Sequence, residues 1–84
     1  MSDTTPDRLK GLLEFIGKGL VSHPESFAVE HKAEAEGDQF LLTVHEEDFG
    51  QIIGRQGRTA RALRAITKAG AARSGRRASV EIVE

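Results

Sequence analysis

The sequence predicts an α+β domain of order α-β-β-α-α-β, with a three-stranded sheet covered by helices on one face. Three observations lead there. Apolar residues recur at helical spacing between Leu9 and Leu20, alternate at every second position from Phe27 to Val44, and alternate again from Ala78 to Val83. Between the second and third of these segments lies a stretch of helix formers interrupted by glycines. At 84 residues the chain has room for one hydrophobic core, so residues 7–84 are expected to form one domain and residues 1–6 a disordered tail.

Thr5-Pro6-Asp7 reads as a helix entrance, with Thr5 as N-cap, Pro6 at the first helical position and Asp7 beside the positive end of the dipole. Leu9, Leu12, Leu13, Ile16 and Leu20 supply the apolar face, and the helix should end before Pro24. Phe27, Val29, His31, Ala33 and Ala35 then alternate with mostly charged neighbours, as on a half-buried strand. Gly37-Asp38 is the expected turn, and Phe40, Leu42 and Val44 mark the return strand of an antiparallel hairpin. Glu46-Glu47-Asp48 suits the start of a short helix running to about residue 53, because negative charge is favoured there. A second helix is expected over 59–73, with Thr59, Ala62, Leu63, Ile66, Ala69 and Gly70 on the sheet. Ser74-Gly75-Arg76-Arg77 then leads into a strand over 78–83.

The formal charge of −1 hides a strong segregation. Residues 1–50 carry four Lys/Arg and eleven Asp/Glu, whereas residues 51–84 carry eight and two, giving −7 and +6. A local electropositive face on an acidic body suits a polyanion bound in one orientation. Gly54-Arg55-Gln56-Gly57 lies at the centre of this basic half. Two glycines let the backbone turn sharply and approach a ligand, and the loop opens onto a helix N-terminus, where unpaired N–H groups favour a phosphate. Arg58, Arg61, Arg64 and Lys68 follow within an arc of about 120° on that helix. No acidic residue lies between Asp48 and Glu81 to neutralise them, and Arg73, Arg76 and Arg77 extend the patch.

With its helix-loop-helix, the chain resembles a KH domain, and more narrowly the small single-domain bacterial KH proteins of the KhpA family. The likeness runs from Leu12-Leu-Glu-Phe-Ile-Gly-Lys-Gly-Leu-Val-Ser-His-Pro24 through Val44-His-Glu-Glu-Asp-Phe-Gly-Gln-Ile-Ile-Gly-Arg-Gln-Gly-Arg-Thr-Ala-Arg-Ala-Leu-Arg-Ala-Ile66. The resemblance implies a type II KH fold holding about four nucleotides of single-stranded RNA between the Gly-x-x-Gly loop, its flanking helices and the last strand. Gly54, Arg55, Gln56 and Gly57 match the loop, with arginine replacing the lysine common at its first variable position. Ile52 and Ile53 match the apolar pair before it, of which one usually lines the groove and the other packs inside. It further implies homodimers, a heteromer with a Jag/KhpB-type RNA-binding protein, and an RNA-chaperone or post-transcriptional role linked to cell elongation and division.

Other chemistry is poorly supported. The phosphate loop G-x-x-x-x-G-K-[ST] is not matched, because Ile52 stands where its first glycine belongs and the lysine is missing. The four phenylalanines do not form an RRM stacking motif. His23, His31 and His45 lack paired metal-ligand spacing, and structural roles are expected for them, with no metal, cofactor or catalytic residue. The absence of cysteine suits a reducing compartment, and no apolar run reaches the length of a membrane span, so a cytoplasmic, non-enzymatic binder is expected. The rival reading is a protein-interaction or dimerisation module with incidental RNA affinity.

Overall fold

The computed structural model of the chain describes residues 4–54 and 57–84, and at Ile53 and Gly54 the backbone only. Helix α1 spans Thr5–Leu20, β1 Ala28–Glu34, β2 Gly37–Thr43, α2 Glu46–Gly54, α3 Arg58–Ala72 and β3 Ala78–Val83, with a single 3-10 turn at Pro24–Ser26. The expected α-β-β-α-α-β order is therefore present. The sheet runs β1-β2-β3, with β1 and β2 antiparallel and β2 and β3 parallel. The parallel pair follows from the connection: α2 and α3 carry the chain back to the end of the sheet where β2 began.

Helix α1 opens one residue earlier than expected. Thr4 holds the N-cap position without a side-chain cap, so Thr5 and Pro6 belong to the domain and not to a tail. Residues 1–3 of that expected tail lie outside the described residues. The Thr5 hydroxyl lies 2.7 Å from that of Ser74, tying the start of α1 to the loop after α3. Leu9, Leu13 and Gly17 form the buried stripe. Glycine is required at 17, where a Cβ would run into the ring of Phe27.

Register explains which side chains share the core. Val29, Leu42 and Ile82 lie in one row across the sheet, and His31, Phe40 and Val80 in the next. All but His31 are buried, and with Leu13 and Leu63 from the helices they make the single core; Phe40 is fully enclosed. Burying a ring of that size contributes about 2–3 kcal/mol. The opposite sheet face carries Glu30, Lys32, Gln39 and Glu81 and faces solvent, as the two-residue alternation requires.

Two expectations about these elements are corrected. The hairpin turn is Ala35-Glu36, because Glu34 pairs with Gly37 and Ala33 with Asp38. Asp38 is not a turn residue but a buried carboxylate on the covered side. It accepts hydrogen bonds from Arg76 Nε (2.6 Å) and Nη2 (2.9 Å), contacts His31 Nε2 (2.7 Å), and its backbone N–H donates to Arg77 O (2.8 Å). This network ties the rim of the sheet together and pairs Arg76, read above as part of the basic patch, with a buried carboxylate while leaving its side chain partly exposed. In α3 the buried stripe is Ala60, Leu63, Thr67 and Ala71, whereas Ala62, Ile66 and Ala69 are exposed. Thr67 tolerates burial because its hydroxyl donates to Leu63 O at 2.8 Å.

Candidate nucleic-acid interface

The site is built from the junction of two helices. Helix α2 ends at Gly54, and α3 begins at Arg58 with Gly57 as its N-cap. Gly57 has φ 66° and ψ 25°, the left-handed region; a Cβ there would meet none of the described residues within 4 Å, and the backbone conformation favours glycine. Gly57 offers no side-chain cap, and its carbonyl accepts from Arg61 N at 2.8 Å. The first N–H groups of α3 have no intrahelical partner and point toward the loop side, the usual setting for an anion.

Arg58, Arg61, Arg64 and Lys68 are all exposed, as the helical spacing predicts. Among the described residues none of the four pairs with a carboxylate. Arg64 Nε makes a long contact, 3.5 Å, to Val80 O, so the basic stripe reaches the outer strand β3. A shallow depression of about 280 Å³ lined by Lys68, Arg76, Arg77 and Ala78 continues this surface toward the start of β3. Of the apolar pair, Ile52 belongs to the core. Arg55, Gln56 and the side chain of Ile53 lie outside the described residues.

The acidic start of α2 has a finer structure than helix-dipole complementarity. Glu46 and Glu47 are exposed, but Asp48 is buried and accepts from Ser22 N (2.8 Å) and His23 N (2.9 Å). Burial opposes its ionisation, yet these two N–H bonds and the nearby His23 and His45 hold its carboxyl below the usual carboxylate range. The loop after α1 is thereby stapled to the helix that leads into Gly54. One sequence signal marks this: Asp48 precedes the buried Ile52 by four residues and so faces inward with it. His45 sits just before α2, and its Nδ1 accepts from Glu47 N at 3.1 Å, so the ring acts as a cap. Its face stacks on His23, with centroids 4.0 Å apart.

Comparisons with known proteins converge on one group. A family model described as "KhpA/KhpB, KH domain" matches residues 10–82. The chain is 38% identical over 76 residues to RNA-binding protein KhpA of Halalkalibacterium halodurans, covering 90% of this chain and 100% of that protein. It is 42% identical over 78 residues to RNA-binding protein KhpA of Clostridium acetobutylicum, with coverage of 89% and 100%. It is 42% identical over 72 residues to RNA-binding protein KhpA of Leifsonia xyli, with coverage of 86% and 92%. No solved structure matches the chain.

Proposed function

The chain belongs to the KhpA/KhpB family of KH domains, and from that premise we propose that it binds single-stranded RNA without catalysis. The groove lies between the Gly54-Arg55-Gln56-Gly57 loop, the first half of α3 and β3. The observation that carries this reading is the run Arg58, Arg61 and Arg64, exposed and without a carboxylate partner among the described residues, which starts at the glycine-capped end of α3. Relatives of nearly full length are named RNA-binding proteins, which supports the same conclusion. Phosphates of about four nucleotides would meet the loop and the α3 N–H groups, and bases would lie against the apolar residue before the loop, Ile53, and the β3 side. Ile52 contributes from beneath, as a core residue that fixes the end of α2.

Fluorescence anisotropy with short single-stranded RNAs across a salt series tests the arginines. Arg58→Ala/Arg61→Ala should weaken binding by about 30-fold, from about 1 kcal/mol per lost phosphate contact. It should also flatten the slope of log K against log salt by about 1.4, because each phosphate contact on a single strand contributes about 0.7. An unchanged slope would reject them as phosphate ligands.

A second copy of the chain is the proposed protein partner, and an exposed apolar surface favours it. Leu12, Phe15 and Leu20 on α1 and Ile66 on α3 are exposed, Phe15 at 74%. The two helices lie side by side, since a Cβ on Gly70 would meet Leu9. Phe15→Glu should raise the dimer dissociation constant by about 100-fold, because in a symmetric dimer each copy loses about 1.5 kcal/mol of burial. Sedimentation velocity measures this, and an unchanged mass distribution would place any self-association elsewhere. The same surface would serve a Jag/KhpB-type heteromer. An RNA-chaperone or post-transcriptional role in the cytoplasm, linked to cell elongation and division, is the wider function these two binding activities fit. No helix among the described residues is long and apolar enough to cross a membrane.

A further inference from the structure

Twenty-two positions apart in sequence, His23 and His45 meet in space beside Glu47, and their candidate ligand atoms all lie within 4.8 Å of one another. We infer that His23, His45 and Glu47 form a binding site for a divalent transition-metal ion of the Zn2+ type. Two imidazoles and one carboxylate are the donor set such borderline ions select, at about 2.0–2.2 Å from each ligand atom, with solvent completing the shell.

The surroundings of His23 match those of a metal ligand. Its Nε2 lies 3.8 Å from Glu47 Oε1, while its Nδ1 lies 3.4 Å from Glu25 Oε1. One ring nitrogen thus faces the prospective ion, and the other faces a carboxylate that orients the ring. The backbone bearing the ligands is held in place: Asp48 clamps the Ser22 and His23 N–H groups, His45 immediately precedes α2 and Glu47 lies in its first turn. Neighbouring ligand atoms on a tetrahedral ion stand about 3.4 Å apart, so the three groups, already within 4.8 Å of one another, complete the site once the two rings rotate about their side-chain bonds. Coordination would turn the stacked rings toward a shared ion, and His45 Nδ1, if it is the donor atom, exchanges its contact with Glu47 N–H for the metal.

The consequence is local. An ion here would cross-link the α1–β1 loop to the start of α2, the helix that ends at Gly54. This inference rests on His23, His45 and Glu47 alone and stands whether or not the RNA reading holds.

Isothermal titration of tag-free full-length protein with Zn2+ tests it, with Co2+ as a spectroscopic probe. His45→Asn keeps a capping side chain and Glu47→Gln keeps the helix, so both should remain folded by circular dichroism. Wild type and the control Glu46→Gln are expected to bind one equivalent of Zn2+ and to develop visible Co2+ absorption. Each ligand variant is expected to bind at least ten times more weakly. No stoichiometric binding by wild type, or equal binding by wild type and both ligand variants, would overturn the site and leave the histidines as a stacking and capping pair.

Discussion

Arg55→Asp/Gln56→Asp is expected to lower affinity for short single-stranded RNA by about two orders of magnitude while leaving the fold intact. In the proposed groove the effect would be the sum of one lost arginine–phosphate attraction and two added carboxylate–phosphate repulsions, at about 1 kcal/mol each in a solvated setting. The fold should survive because both substitutions exchange one polar residue for another, while the core is built from apolar side chains such as Leu9, Leu13, Phe40, Leu42 and Leu63. Anisotropy measures the affinity, circular dichroism the fold and sedimentation velocity the self-association. Loss of RNA binding with self-association retained separates the groove from the apolar surface of α1 and α3. Equal affinity in wild type and variant would sink the loop assignment and move the site along the arginine stripe. Loss of both activities together would mean that RNA affinity depends on a second copy of the chain.

How far this site was legible in the sequence depended on the kind of interaction involved. The stripe Arg58, Arg61, Arg64 and Lys68 follows from helical spacing alone, and the structure places all four in solvent. Nothing so local reveals what a charged side chain meets across the fold. Arg76 reads as one more member of the basic patch, yet Asp38, 38 positions earlier, holds it in a partly buried ion pair. His23 and His45 likewise show no ligand spacing, since the contact is made by two chain junctions and not by one helix.

The fold was readable where periodicity was unambiguous. Val29, Phe40, Leu42, Val80 and Ile82 alternate and are buried together. Helix α3 misled because it carries six alanines, small enough to sit on either face, so the apolar stripe could be drawn through Ala62, Ile66 and Ala69. Steric fit selected Ala60, Leu63, Thr67 and Ala71 instead, which leaves Ile66 outside with Phe15. The hairpin misled for a related reason. Gly-Asp carries strong turn propensity, but the register places Gly37 opposite Glu34 and Asp38 opposite Ala33, and keeping Phe40 and Leu42 on the buried face puts Asp38 on that face too.

That ion pair supports the largest stability prediction. Asp38→Ala removes the carboxylate that Arg76 and His31 share at the rim of the sheet, a loss of about 3 kcal/mol at neutral pH from the charge-assisted hydrogen bonds it accepts. For a domain of this size the melting temperature should fall by about 15 °C. The same carboxylate makes a pH prediction. Hydrogen bonding from Arg76, against the opposing push of burial and with help from His31, holds the Asp38 carboxyl below its ordinary value. A carboxyl whose folded pKa is depressed contributes stability above its unfolded pKa of about 3.9, and that contribution is lost as pH falls through the folded value. Wild type should therefore lose its advantage over Asp38→Asn progressively below about pH 4. Urea unfolding of both proteins between neutral pH and about pH 2.5 reads that difference directly, and since every other carboxylate is common to the two, their acid sensitivity cancels. A gap that stays constant across the range would mean that Asp38 acts through shape and neutral hydrogen bonding. In that case the rim of the sheet would be held by packing and by neutral hydrogen bonds.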